Sequence, residues 1–337
     1  MIQSDKNVAQ VIDDLTTADI GGRATIDLIS ESAAERQGNV PAMQAAERLA
    51  DAVDSDSTVL ILTGFLIPPT MAQETDGPLG AVSVARSIDA GLEANPVIAC
   101  EPKALDICEA TAKAGELSVL NREASFKSRR TVSVESFPTT RDAAQEYADS
   151  IISKMEPAAV VAIEKVAPNE AGVYHNMAGY DVSDKTSKIG ELYDALNDDV
   201  LTVSVGDAGN EVGMGLVQDV VKDQIKYGSK CQCSCGAGIA SSIETDILVP
   251  ATVSNWGGHA IAACLSDIVD TQILHNVDVE RRMLEQAAIN GGVDGIIGGT
   301  NAWCDGLPPK THESIVQLLH ETLNSSVHIR GGGELGR

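Results

Sequence analysis

The chain has 337 residues, 43% of them hydrophobic and 22% charged, enough apolar material for a large buried core in one domain or two. Its 49 Asp and Glu against 24 Lys and Arg give a formal net charge of −25, a surface that repels phosphate backbones and anionic lipid and argues against nucleic-acid and membrane partners. The acids are spread along the chain, as at Asp13, Asp14, Asp51, Asp54, Asp56, Asp198 and Asp199, which reads as a solvated coat suited to a salt-rich cytoplasm.

The start Met1-Ile2-Gln3-Ser4-Asp5-Lys6 has neither the basic residues nor the apolar core of a signal peptide. No apolar run approaches the ~18 residues that span a bilayer, so a soluble cytoplasmic protein is expected. Seven cysteines at irregular spacing make no disulfide framework and are expected to be reduced.

In chain order, Met43, Ala46, Leu49, Ala50 and Val53 predict a helix over 41–53, and Thr58 to Leu62 reads as a strand buried on both faces. Apolar runs at 96–100, 158–163, 201–205 and 247–249 predict further strands. Helical patterns fall near 78–92, 104–114, 140–155, 188–197, 211–225 and 257–274, and a last one spans 310–323. The alternation predicts an α/β fold, a mainly parallel central sheet flanked by helices, as one domain over 1–330 with a flexible tail at 331–337. In such a fold the ligand site lies beyond the carboxyl ends of the strands.

Four loops at those ends are rich in chemistry. The first runs from Thr63 to Pro78, where Asp76 is placed either as a helix N-cap or as a functional acid and Glu74 has no capping position. In the second, Glu164 directly ends a buried strand ahead of Tyr174-His175-Asn176-Met177. The third is Gly206-Asp207-Ala208-Gly209-Asn210-Glu211-Val212-Gly213-Met214-Gly215. Its glycines let backbone N–H groups approach a ligand, while Asp207 and Glu211 accept a cation, an ammonium group or a proton. The bland alternative is a tight turn with Asp207 as cap. The fourth, Ser254-Asn255-Trp256-Gly257-Gly258-His259, opens a helix, with His259 expected to pack inside it.

In this order the loops resemble the D-glutamate cyclase family, in the form that stands alone in archaea and bacteria and makes up the C-terminal part of the mitochondrial enzyme. The matching stretches are Thr63-Gly64-Phe65 with Glu74 to Pro78, Ala162-Ile163-Glu164 with Tyr174 to Met177, Gly206 to Gly215, and Ser254 to Gly258. A fifth is Gly292-Val293-Asp294-Gly295 with Asp305-Gly306-Leu307-Pro308, so the resemblance runs from about residue 10 to 325. Lys165, Glu170-Ala171-Gly172 and His175 depart from the family's usual Arg, Ala-Asp-Gly and second Tyr.

The resemblance implies intramolecular dehydration of D-glutamate to 5-oxo-D-proline. That reaction needs a base for the α-amine and a proton or Lewis acid for the departing oxygen. Asp207, Glu211, Glu164 and Asp76 are the expected catalytic acids. Gly209, Asn210, Ser254, Asn255, Trp256, Gly257, Tyr174 and Asn176 are the expected substrate contacts, with N–H groups at helix starts near Asn210 and Gly257 holding the α-carboxylate. A divalent cation, Mg2+ or Mn2+, is expected on Glu74, Asp207 and Glu211.

Two further motifs point away from cofactors. Cys231-Gln232-Cys233-Ser234-Cys235 does not match the Cys-x2-Cys spacing of common zinc and iron-sulfur sites and is expected to supply buried small hydrophobes, on one face if it is a strand. Gly-x-Gly-x-x-Gly occurs only at 331–336, in the expected tail with no strand before it, and no Walker ending is present, so no nucleotide cofactor is expected. The alternatives are a metal-dependent hydrolase or lyase of another small amino or carboxylic acid, and a metabolite or metal sensor without turnover. A homo-oligomer is compatible with all of these.

Overall fold

The computed structural model describes residues 3–331, with side chains from 8 to 325. The chain opens with helices α1 (Gln3–Thr16), α2 (Thr25–Gln37) and α3 (Pro41–Ala52), then strand β1 (Thr58–Gly64) and a small hairpin of β2 (Leu66–Ile67) and β3 (Ala72–Gln73). There follow α4 (Pro78–Gly91), β4 (Asn95–Cys100), α5 (Leu105–Ala114), β5 (Ser118–Val119), α6 (Arg122–Ser125), β6 (Thr131–Ser136), α7 (Arg141–Lys154) and β7 (Ala159–Lys165). The last part holds α8 (Gly190–Ala195), β8 (Leu201–Gly206), α9 (Gln218–Gln224), β9 (Ile247–Pro250), α10 (Ser254–Ile268), α11 (Val277–Ile289) and α12 (Pro309–Gly331).

Seven strands form one sheet in the order β5-β6-β4-β1-β7-β8-β9, and every pairing is parallel. The fold is α/β, as the alternation of apolar runs and helical patterns predicts. Successive strand residues face opposite sides, and the core divides accordingly. Val59, Ile61, Ile98, Val161, Ile163, Val203 and Val205 pack under α3, α4 and α10, while Leu60, Leu62, Val97, Ala99, Val160 and Ala162 pack under α7 and α8. Both faces are therefore covered, which is why these strands read as continuous apolar runs.

Helices α4 and α10 pack in close contact. A Cβ on Gly258 would lie 2.7 Å from the Gly80 Cα, so the two backbones touch where only hydrogen fits. That contact fixes the N-terminal ends of both helices beside the carboxyl ends of β1 and β7. From β1 the chain builds one half of the sheet with β4, β5 at the edge and β6 between them, then returns to β7 on the other side of β1. The resulting reversal between β1 and β7 is where α/β folds open a crevice.

The sequence expectations differ from the structure at several elements. The helix expected over 211–225 begins only at Gln218, because the residues after Glu211 continue as a loop and a short 3-10 turn at Met214–Val217. The expected helix over 257–274 lies at Ser254–Ile268. The sequence patterns mark none of α1, α2, α6, α11, β2, β3, β5 and β6. The expected tail at 331–337 lies outside the described residues beyond Gly331. Among the described residues no helix is long and apolar enough to cross a membrane.

Candidate active site

Beyond the strand ends at the β1/β7 reversal lies a cavity of about 440 Å³. Its walls include Arg23, Phe65, Glu74, Glu164, Asn176, Asp207, Asn210 and Asp305. With Asp19, which also lines it, five carboxylates share the cavity with one guanidinium.

Local backbone geometry aims each acid. Thr63 pairs with Ile163 but Gly64 pairs with Lys165, so Glu164 is the extra residue of a bulge at the end of β7 and sits at φ +44. A bulge re-aims its side chain, and positive φ in a non-glycine residue is strain that the surrounding fold must hold. The Glu164 carboxylate accepts the Ser254 hydroxyl at 2.5 Å from the start of α10. In the glycine loop, Gly213 at φ +88 turns the chain back so closely that a Cβ there would lie 1.7 Å from Ser204 Oγ. The Glu211 carboxylate then accepts the backbone N–H groups of Ala208 (3.1 Å) and Gly209 (2.7 Å), cinching the loop from within.

Asp207 is not a helix cap. Its Oδ2 lies 2.9 Å from Arg23 Nη1, and Arg23 Nη2 lies 2.8 Å from Asp305 Oδ2, so one planar fork joins two acids. Arg23 also donates to the Thr252 carbonyl. Behind the cavity, fully buried Lys165 is ion-paired with Glu101 beneath the β1 end.

Burial and mutual repulsion favour protonated acids here. Burial, partly offset by the Arg23 charge, pushes Asp207 up to about 8. Asp305 is pushed up to about 7 by burial and the neighbouring Asp207. Glu164 and Glu74 are held well above the ordinary carboxylate range, first by burial and then by the surrounding acids. Glu211 is also raised by burial, against the pull of its backbone N–H donors. Groups so displaced in a cleft mark sites of proton transfer or cation binding.

Residues 12–320 match the model of the D-glutamate cyclase-like, C-terminal family. The chain belongs to that family. It is similar to the mitochondrial D-glutamate cyclase of Homo sapiens, 30% identical over 307 residues that cover 80% of this chain and 46% of that protein. The chain therefore spans under half the length of that relative.

The stretches on which the resemblance rests converge in part. Asp207, Glu164, Glu74, Asn176 and Asn210 line the cavity, as does Asp305 from the fifth matching block. Glu211 does not line it and stands behind Asp207, tied to the loop backbone. The three acids whose oxygens come within 4.8 Å of one another are Glu164, Asp207 and Glu211, so Glu164 takes the place expected for Glu74 in that triad.

Other expected contacts lie elsewhere. Asp76 does not cap α4, which follows it. Its oxygens accept the N–H groups of Gly77, Ser254 and Asn255 at 2.9, 2.8 and 2.7 Å, and burial together with Asp305 raises it to about 7. The N–H groups at the start of α10 are consequently committed to Asp76, and those of Ala208 and Gly209 to Glu211, rather than open to an α-carboxylate. Trp256 is fully buried with its indole N–H on His312 Nδ1 at 2.9 Å, and Gly257 packs on Val205. Asn255 caps α4, and Ser254 reaches the site only through Glu164. Tyr174 is buried, its hydroxyl accepting the Gly190 N–H at 3.1 Å. Gly209 shapes the loop at φ +109 without lining the cavity. His259 packs as expected, its Nε2 3.2 Å from Glu280.

Arg23 carries no signal in the sequence. It sits between α1 and α2, far in sequence from every acid it serves, and no local motif marks it.

Proposed function

We propose that the chain cyclises D-glutamate to 5-oxo-D-proline with loss of water. The observation that carries this reading is the pairing of Arg23, the one cation lining the cavity among the described residues, with wall acids whose proton affinities are raised. Arg23 offers its remaining N–H groups to a substrate carboxylate, and the acids receive the ammonium group. Lactam formation takes two protons from nitrogen and delivers two to the departing oxygen. Ionised Asp207, favoured by the Arg23 charge and populated as pH approaches 8, accepts from the amine as nitrogen closes on the side-chain carboxyl carbon, and protonated Glu164 donates to the leaving oxygen. Because the Glu164, Asp207 and Glu211 oxygens lie within 4.8 Å of one another, the cluster can pass the second proton across.

The same triad is an all-oxygen donor set suited to Mg2+ or Mn2+, and the buried Glu74 Oε1, without a hydrogen-bond partner among the described residues, also faces this region. A hard cation held by Glu164, Asp207 and Glu211 would supply Lewis acidity toward a carboxylate oxygen. Glu211 is the positioning residue, because it holds the loop that presents Asp207.

Chiral mass spectrometry of purified protein with D- and L-glutamate, in high salt with and without Mg2+ or Mn2+, tests the reading. Conversion of the D form is expected, with Glu164→Gln lowering kcat by about 100-fold or more at unchanged Tm. A folded protein that forms no 5-oxoproline under any of these conditions would overturn it.

A further inference from the structure

The cysteine triplet is not a strand and not a set of buried hydrophobes. Residues 231–235 form turns, with Cys231 buried but Cys233 and Cys235 half-exposed. They lie in a stretch from Lys226 to Asp246 that contains no helix or strand. A segment that long without secondary structure needs something else to hold it.

We propose that His175, Cys231, Cys233 and Cys235 bind one zinc ion in a closed tetrahedral site that fixes the wall of the cavity. The four donor atoms lie within 4.8 Å of one another, although His175 is far from the cysteines in sequence. Cys231 Sγ is 3.4 Å from Cys233 Sγ and 3.3 Å from Cys235 Sγ, and His175 Nε2 is 3.2 and 3.6 Å from the sulfurs of Cys233 and Cys235. Zinc bonds of about 2.3 Å to sulfur and about 2.0 Å to nitrogen imply tetrahedron edges of roughly 3.5–3.8 Å, so these four edges need adjustments of only a few tenths of an ångström.

Surrounding groups orient these donors. His175 Nδ1 lies 3.2 Å from the Val173 carbonyl, which only accepts, so Nδ1 carries the proton and Nε2 presents its lone pair to the sulfurs. Asn169 Nδ2 donates to Cys235 Sγ at 3.5 Å and to the Gly238 carbonyl at 2.7 Å. Thiolates and imidazole select zinc over Mg2+ or Mn2+, and four protein donors leave no position for substrate. The role is therefore structural.

What it holds is the active-site wall. Gln232, between two of the cysteines, donates from its backbone N–H to the Gly179 carbonyl at 2.8 Å and from its side chain to the Ala178 carbonyl at 2.5 Å. Asn176, Met177 and Ala178 line the cavity, and the His175 carbonyl accepts Asn210 Nδ2 at 2.7 Å from the glycine loop. Zinc at this point ties two irregular segments to the loop that carries Asp207.

Elemental analysis of tag-free protein, purified without chelator from zinc-supplemented medium, should give roughly one zinc per chain, and X-ray absorption at the zinc edge should show three sulfurs and one nitrogen. Cys233→Ser/Cys235→Ser should lose at least ~90% of the zinc and open 226–246 to protease. If that variant does not fold, the absorption spectrum of the unmutated protein decides alone. Zinc-free folded protein, zinc held by oxygen ligands, or a mass two hydrogens light from a disulfide would each overturn the proposal. None of these readouts depends on turnover, so they stand or fall separately from the cyclase reading.

Discussion

The Asp76 carboxylate accepts the N–H groups of Ser254 and Asn255 at the start of α10, at 2.8 and 2.7 Å, while the Asn255 side-chain oxygen accepts those of Gly77 and Gly80 at the start of α4, at 3.0 and 2.8 Å. Each helix is capped by a residue belonging to the entry of the other. This locks the two loops flanking Glu164 together at the point where Gly80 and Gly258 already touch. A single cap is worth about 0.5–2 kcal/mol, and buried donors left unpaired cost more. Asp76→Ala and Asn255→Ala should therefore each lower stability by about 2 kcal/mol or more. Because they share one junction, the double variant should lose less than the sum. Denaturant unfolding of the four proteins checks this, and additive losses would show that the caps act independently.

Arg23 presents the second test. Its fork bridges Asp207 and Asp305, and a lysine ammonium, a single compact charge, cannot reproduce both contacts. Arg23→Lys should raise KM for D-glutamate at least ~10-fold with a smaller effect on kcat, and Arg23→Met should be worse in both. Steady-state kinetics separates the two parameters. An Arg23→Lys variant with unchanged KM would remove Arg23 from substrate recognition.

The raised acids make stability fall with pH. Asp207 near 8 and Asp76 and Asp305 near 7 hold protons in the folded state that the unfolded chain, with ordinary carboxylates, has released; Asp13, raised by burial to about 7, acts in the same direction. Their stabilising contribution is complete below the ordinary carboxylate range and is lost as pH rises through the folded values. His275, lowered by burial to about 4, works in the opposite sense, but only up to the ordinary histidine value. Between about pH 6.5 and 8.5 the carboxylates should therefore dominate, with Tm falling by at least ~3 °C in EDTA and 1 M KCl. Scanning calorimetry across that window checks it; a flat or rising Tm would mean that the acids are ionised in the folded protein.

Much of this arrangement was legible in the sequence, for identifiable reasons. β1, β4, β7, β8 and β9 are buried on both faces and so appear as unbroken apolar runs, whereas β6, Thr131-Val132-Ser133-Val134-Glu135-Ser136, lies near the sheet edge with its later residues partly exposed and carries a polar residue at every second position. α2 shows no clear apolar stripe because its buried face includes Ser32 and Ala33 beside only two isoleucines. Glu164, Asp207 and Glu74 could be found because strand-end loops in parallel sheets gather at one edge. Spacing could not show that Glu211 turns inward onto its own loop, that Asp76 caps a distant helix, or that His175 meets the three cysteines. The last two are long-range contacts, as are those of Arg23, whereas the Glu211 contact is local but depends on backbone angles that spacing does not encode.

The acidic surface makes the final prediction. At a net charge of −25 the like charges repel across the folded surface, and at ~0.1 M salt the screening length is still about 10 Å, so neighbouring carboxylates are incompletely screened. Raising the salt to ~1 M shortens that length to about 3 Å and weakens the repulsion, which opposes the compact state more than the unfolded one. Ion pairs present on the surface, such as Arg36 with Asp219 and Arg129 with Asp56, are weakened by the same screening, but exposed pairs are worth only about 0–1 kcal/mol each. With acids outnumbering bases two to one, repulsion dominates and Tm should climb steeply between dilute buffer and molar KCl. Thermal unfolding over a KCl series checks it. A Tm that stays level or falls would show that the acidic coat does not limit stability and would remove the argument for a salt-rich cytoplasm.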